Sequence, residues 1–291
     1  MHDGTDLTGV QTGELHAETA AGADMVDAAT RLGMEFAEGA IAHDRDGTFA
    51  VEHLDKLRAE GFLVAPVPTE LGGGGVTSIH DVLVASSRLA RGDPATAIGV
   101  NMHLAGLINL VRSWRTSLGR RDEPTAARLA DGLRLVVAAD VVFAAAASEP
   151  SPQDLTRPAT TATRAEGGWA VNGRKVFATM APFATVLSVA VSFVDGRGRD
   201  RYGFALVPTA TPGVELHDDW DALGMRASAS GSVSFRDVRI GDDALHDGFA
   251  AGSWSAAQRG GGVSVRGLGD ARILRSGRTP GGRPLRRPPA G

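Results

Sequence analysis

Apolar positions in the first half of the chain recur every three or four residues. From Ala20 onward, Met25, Ala29, Leu32, Phe36 and Ala40 fall on one face of a helix. Gly47-Thr48 breaks that run, and Val51, Leu54 and Leu57 mark a short helix ending near Gly61. Ile79, Val82, Leu83, Ser86 and Leu89 predict the next amphipathic helix, closed by Gly92-Asp93-Pro94. Residues 95–114 are apolar nearly all round, the pattern of a helix at the centre of a domain. A further helix is predicted from Pro124, a favoured first-turn residue, with Asp122 or Glu123 at its cap and Gly132 at its end. Residues 20–133 thus read as an all-helical domain, preceded by a polar leader over 1–19 that is expected to be disordered.

The period changes after Leu133. Leu135–Val137, Val141–Phe143 continuing to Ser148, Thr160–Arg164, Trp169–Val171 and Lys175–Thr179 are β-like runs. Val186–Val194, Tyr202–Val207, Val214–Leu216 and Ser232–Phe235 follow as further short strands. Gly, Pro, Asn and Asp turns lie between them, with Asn172-Gly173 placed at a hairpin turn. That spacing predicts an antiparallel β-barrel or sandwich over 134–245. Beyond it, residues 246–291 show no period of either kind and form an irregular Arg/Gly/Pro-rich tail, which is expected to be disordered.

Composition sharpens this picture in two places. The absence of cysteine excludes disulfides, zinc–thiolate sites, Fe–S clusters and Cys nucleophiles. Charge is uneven: residues 256–291 hold eight arginines and one acid, Asp270, so the body is acidic and the tail basic. A basic arm can bind nucleic acid, but this one has neither interleaved aromatics nor a folded reader, and no nucleic-acid partner is expected. The N-terminus lacks the basic and apolar regions of a signal peptide. The apolar stretch Ile98–Val111 is broken by Asn101, His103 and Asn109 and reads as too short and polar to span a bilayer. A cytoplasmic location is the expectation that follows.

Candidate chemistry centres on Phe177 and Thr179. Two residues apart on a strand, they would share one face, setting an aromatic platform beside a hydroxyl, an arrangement suited to a flat heteroaromatic cofactor. The run Gly72–Gly75 lacks the Lys and Ser/Thr of a P-loop and reads as a flexible loop at a substrate mouth. The eight histidines show no metal-ligand spacing, and His217-Asp218-Asp219 reads as a solvated turn. No nucleophile-elbow motif supports a Ser-His-Asp grouping.

Five motifs occur in order across residues 66–238: Pro68-Thr69-Glu70-Leu71-Gly72-Gly73-Gly74-Gly75, Ala147-Ser148-Glu149-Pro150, Asn172-Gly173-x-Lys175-x-Phe177-x-Thr179, Leu223-Gly224-Met225-Arg226-Ala227-Ser228-Ala229-Ser230, and Phe235-Arg236-Asp237-Val238. Together they resemble the acyl-CoA dehydrogenase family. The resemblance implies an FAD-dependent CH–CH oxidoreductase that removes hydrogens from the α and β carbons of an acyl-CoA thioester, with an electron-transfer acceptor and a homo-oligomeric assembly. It implies flavin contacts from Ala145, Ala147, Ser148, Phe177, Ala178 and Thr179, and substrate contacts from Gln153 and Arg226. Two departures stand out: Ser151-Pro152-Gln153-Asp154 replaces the family's x-x-Gly-Ser-Asp, and Phe177 replaces the commoner Trp. The family's C-terminal helical bundle, which supplies the catalytic base in many members, has no counterpart in the tail pattern. The expectation is therefore a truncated or frameshifted chain of impaired activity, with no catalytic residue assigned. The alternatives are a flavin-dependent monooxygenase or nitroalkane-oxidase-like enzyme on the same fold, and a catalytically dead fragment acting as an interaction module.

Overall fold

The computed structural model describes residues 14–139, 141–151, 154–245 and 249–253. Among these, five α-helices come first: α1 (Ala20–Asp46), α2 (Val51–Ala59), α3 (Ile79–Gly92), α4 (Pro94–Gly119) and α5 (Glu123–Ala139). Their starts have local causes. The Thr19 hydroxyl accepts from Gly22 N–H at 3.0 Å at the head of α1, and Ser78 caps α3 in the same manner. Asp93 accepts from Ala95 and Thr96 N–H to open α4, whose first residue is Pro94. α1 ends at Gly47, which is left-handed at φ +62°.

α1 and α3 cross backbone to backbone. A Cβ on Gly92 would lie 1.7 Å from the Gly33 carbonyl oxygen, so only glycine fits there. The segment before α1 is also fastened. Glu18 and Thr19 N–H donate to the buried Asp81 carboxylate at 2.8 and 3.1 Å, and Glu14 pairs with Arg88 and Arg91. Residues 14–19 are therefore held against α3, contrary to the disordered leader expected there. Residues 1–13 and most of the tail lie outside the described residues.

α5 continues seven residues past Gly132. Leu129, Leu133 and Val136 are buried at helical spacing, so the run read as the strand Leu135–Val137 is the last turns of a helix. At 26 residues α4 is long and apolar enough to cross a membrane by length and composition, which corrects the shorter reading of Ile98–Val111. Here it is the central spine. Leu104 joins the core formed with α1–α3, and Leu107 and Leu110 join the core formed with α5 and the sheet.

The strands are β1 (Phe143–Ala146), β2 (Thr161–Ala165), β3 (Gly168–Lys175), β4 (Val186–Val194), β5 (Asp200–Pro208), β6 (Val214–Leu216), β7 (Val233–Gly241) and β8 (Phe249–Ala250). They form one sheet in the order β6-β7-β3-β2-β4-β5-β8, with β1 also on β4. The sheet is mixed rather than purely antiparallel: β1 and β2 both run parallel to β4. The long connections leading from each of them to β4 give the chain room to return in the same direction.

The β2–β3 hairpin turns at Glu166-Gly167, not at Asn172-Gly173. Asn172-Gly173 lies inside β3, where the register against β7 slips between Val171 and Gly173. A Cβ on Gly173 would sit 2.7 Å from Thr160 Cα, and Asn172 Oδ1 accepts from Asp237 N–H at 2.9 Å. The Asn-Gly pair serves a bulge, a role its composition shares with a turn.

Candidate functional site

β1 presents its free face through alanine. Ala145 is exposed between the buried Ala144 and Ala146, and Ala147 and Ser148 continue the ledge beyond the strand. Methyl side chains allow a planar molecule to approach the backbone closely.

A buried ion pair fixes this ledge. Lys175, at the end of β3, is 0 % exposed, and its Nζ donates to Glu149 Oε1 at 2.8 Å and to the Ala147 carbonyl at 3.3 Å. The same carboxylate accepts from Ala159 N–H, Thr160 N–H and Thr160 Oγ1 at 2.7–2.8 Å. Burial alone would raise the Glu149 pKa; the Lys175 and Thr160 hydrogen bonds outweigh it and hold the carboxyl below its ordinary range. Burial pushes the Lys175 ammonium down. Glu149 is thus a tie between β1, β2 and β3, its acceptor capacity directed inward.

Past Lys175 the chain leaves the sheet. Phe177 has φ +57° and Met180 φ +63°, so the strand expected over Lys175–Thr179 stops at Lys175. Three backbone bonds pin the segment: Val176 N–H to Ser148 O at 3.0 Å, Ala178 N–H to Gly231 O at 3.0 Å, and Met180 N–H to Ser228 O at 3.2 Å. Left-handed residues break the alternation of a strand, so the shared face inferred for Phe177 and Thr179 does not follow from strand geometry. What the turn produces instead is a ring that is 60 % exposed, a buried Ala178 and a half-buried Thr179.

Phe177 packs edge-on against Trp220, with centroids 5.9 Å apart, and Trp220 is locked by its Nε1–H on the Met225 carbonyl at 2.9 Å. Thr179 Oγ1 shares a hydrogen bond with Ser230 Oγ at 2.9 Å, which in turn bonds Ser228 Oγ at 2.6 Å. The two serines are buried, so this relay orients the one hydroxyl that reaches the surface. Sequence reasoning missed Trp220 and held Ser228 and Ser230 only as part of the fourth motif, without a role. The Ser-x-Ser spacing after Arg226 was the available signal.

Arg226, expected at the substrate, closes the end of α1. Its Nε donates to the Asp44 carbonyl at 2.9 Å and its own N–H to Asp44 Oδ1 at 3.3 Å. A guanidinium beside the C-terminal carbonyls of a helix is favoured by the helix dipole. Gln153 lies outside the described residues. The Gly72–Gly75 run is also not the flexible mouth expected. It folds back on its own approach, with Gly74 and Gly75 N–H on the Val64 and Val67 carbonyls and no room for a Cβ at Gly73, 2.3 Å from Val67. His217 shares a hydrogen bond with Ser234, and Asp219 accepts from Ser232 and Arg174.

A helical layer feeds a mixed sheet, and the alanines after β1 lie near an exposed aromatic ring and a hydroxyl held by two buried serines. The acyl-CoA dehydrogenase N-terminal domain matches residues 21–116 and the middle domain residues 144–238, and the chain belongs to the acyl-CoA dehydrogenase family. The acyl-CoA dehydrogenase-like YdbM of Bacillus subtilis (strain 168) is 33 % identical over 220 residues, 74 % of this chain and 54 % of that protein. The amino sugar nitrososynthase DnmZ of Streptomyces peucetius is 33 % identical over 225 residues, 77 % of this chain and 53 % of its own length. The structure of KijD3 in complex with FMN and dTDP-3-amino-2,3,6-trideoxy-4-keto-3-methyl-D-glucose superposes with a TM-score of 0.75 at 32 % identity, covering 90 % of this chain and 62 % of that one. The chain spans about half the length of the curated relatives it matches.

Proposed function

We propose that this chain carries the flavin-facing wall of an FMN-dependent monooxygenase acting at the nitrogen of a small polar substrate, such as a nucleotide-linked amino sugar. The observation that carries this reading is the ledge itself. Ala145 and Ala147 offer a low surface, Phe177 stands exposed beside it on Trp220, and the Ser228–Ser230 pair aims the Thr179 hydroxyl. These residues fit a flat, hydrogen-bonding ring system better than a flexible apolar chain. The Ser148 carbonyl fastens the ledge to Val176, and Ala178 N–H fastens the segment after Phe177 to the Gly231 carbonyl. Arg226 is assigned to positioning, through α1, rather than to substrate.

Similarity to DnmZ and to the FMN- and dTDP-sugar-bound KijD3 supports FMN over the FAD that the family resemblance implied, and oxygen over an electron-transfer partner. When bound, reduced flavin supplies two electrons to O₂; one oxygen atom enters the amine as a hydroxylamine and the other leaves as water. The chain's own residues orient the ring and shield one of its faces.

The test uses the full chain, FMN, NADH with a flavin reductase, and a dTDP-linked amino sugar, read by mass spectrometry for oxygen addition. Tighter binding of FMN than of FAD is expected, and whatever turnover the chain supports should add oxygen to the amine. Anaerobic bleaching of bound flavin by an acyl-CoA, without oxygen transfer to the amine, would overturn the reading in favour of dehydrogenation, which similarity to YdbM favours.

A further inference from the structure

The last turns of α1 and the first turn of α2 face each other across Gly47–Phe49, and three side chains meet between them. His43 comes from α1, and Glu52 and His53 from α2; one ligand-capable atom of each lies within 4.8 Å of the other two. Both imidazoles are oriented from behind by oxygen. His53 Nδ1 is bonded to Asp93 Oδ2 at 2.8 Å and Thr96 Oγ1 at 3.2 Å, and His43 Nδ1 to Thr48 Oγ1 at 2.8 Å. A carboxylate on Nδ1 fixes the tautomer that leaves a lone pair on Nε2, the arrangement that accompanies histidine ligation of metals.

The two Nε2 atoms border one space. Its remaining side is Gly39 of α1, where a Cβ would lie 3.8 and 3.9 Å from the Nε2 atoms of His53 and His43. His53 is only 5 % exposed and lies flat on Phe36 at 4.0 Å; among the described residues no hydrogen bond engages its Nε2. A buried imidazole nitrogen aimed at a carboxylate and a second imidazole is a donor set suited to a cation. Glu52 Oε1 already stands 2.8 Å from His43 Nε2.

We propose that His43, Glu52 and His53 form a three-ligand Zn²⁺ site that ties the end of α1 to α2, with the fourth position open to water. Two neutral imidazoles and one carboxylate suit zinc better than the hard, oxygen-seeking Ca²⁺ or Mg²⁺. On binding, the ion replaces the His43–Glu52 hydrogen bond and the ring proton of His43 shifts by way of solvent from Nε2 to Nδ1, where the Thr48 oxygen accepts it, so the imidazole stays neutral. Bonds of about 2.0–2.1 Å require ligand atoms roughly 3.4 Å apart in a tetrahedron, so the His43–Glu52 pair must widen from 2.8 Å, an adjustment that the exposed Glu52 and half-buried His43 side chains can make. The site joins the helix end that also carries Arg226 on Asp44.

The experiment is Zn²⁺ competition against a chromophoric chelator with the untagged full chain, repeated with Co²⁺ for its visible absorption. One equivalent should bind, with Co²⁺ bands of a low-coordinate nitrogen–oxygen site. His43→Gln and Glu52→Gln should each weaken binding at least tenfold, with far-UV CD unchanged. His80→Gln, in the Glu18–His80–Asp81 cluster, should leave it intact. Zinc held no better than by the chelator blank, or held equally by wild type, His43→Gln and Glu52→Gln, would overturn the proposal.

Discussion

At Phe177 a single backbone choice decides the surface. A left-handed residue there ends β3, turns the ring outward and lets the next two residues reach the Ser228–Ser230 segment. Phenylalanine in that conformation costs of order 1–3 kcal/mol, and the three flanking backbone bonds together with the Trp220 contact offset it. Thr179 is the accessible end of the hydroxyl relay. Thr179→Val removes one hydrogen bond to the proposed flavin without changing side-chain size. A hydrogen bond of about 1 kcal/mol predicts FMN affinity weakened roughly five- to tenfold, with far-UV CD unchanged. The check is fluorescence titration of FMN; equal affinity in the two proteins would remove Thr179 from the site.

Among the elements, the meeting of β1, β2 and β3 depends on Lys175 and Glu149. The two partners are not equivalent. Lys175→Met leaves Glu149 with three donors, from Ala159 N–H and the Thr160 N–H and hydroxyl. Glu149→Leu takes the carboxylate from the Thr160 N–H and hydroxyl and leaves the buried ammonium only the Ala147 carbonyl at 3.3 Å. Glu149→Leu should therefore be the more damaging, by about 3–5 kcal/mol as for breaking a buried pair, and Lys175→Met clearly less so; urea unfolding of both measures the order. The sequence carried a hint of this pair: Lys175 is one of only two lysines among 30 basic residues. Other features at this scale were legible for identifiable reasons. The burial of α4 follows from its apolar circumference; the caps at Thr19 and Ser78 went unread, and Asp93 was read as closing α3 although it also opens α4. The strand error at Leu135–Val137 arose because three apolar residues in a row satisfy either period, and only their packing with Leu129 and Leu133 decides. The Asn172-Gly173 error arose because turns and bulges ask for the same residues. The parallel pairing of β1 and β2 with β4 is long-range, and no local signal encodes it.

At the level of the whole molecule, the helical layer and the sheet are joined through His103. It is 0 % exposed in α4; its Nε2–H donates to the Leu63 carbonyl at 2.8 Å, and its Nδ1 accepts the Phe143 N–H of β1 at 3.1 Å. Only the neutral ring can do both. Burial pushes its pKa down from 6.5 to about 4, against the opposing pull of the Leu63 carbonyl. Because the folded value lies below the unfolded one, the unfolded chain takes up a proton between these values that the folded chain refuses. The contribution of His103 to stability is therefore complete above about pH 6.5, declines as pH falls and is lost near pH 4, a difference of order 3 kcal/mol at its limit. Asp81, held at about 2 against its burial by the hydrogen bonds of Glu18, Thr19 and His80, acts lower: its contribution is present above about pH 4 and lost as pH falls toward 2. The two windows separate the layer joint from the strap on α3. Glutamine can both donate and accept at position 103 but does not titrate. His103→Gln should flatten the urea midpoint between pH 6.5 and 4 while leaving the fall below pH 4 in place. A variant that loses stability across pH 6.5–4 as steeply as wild type would show that another group governs the joint.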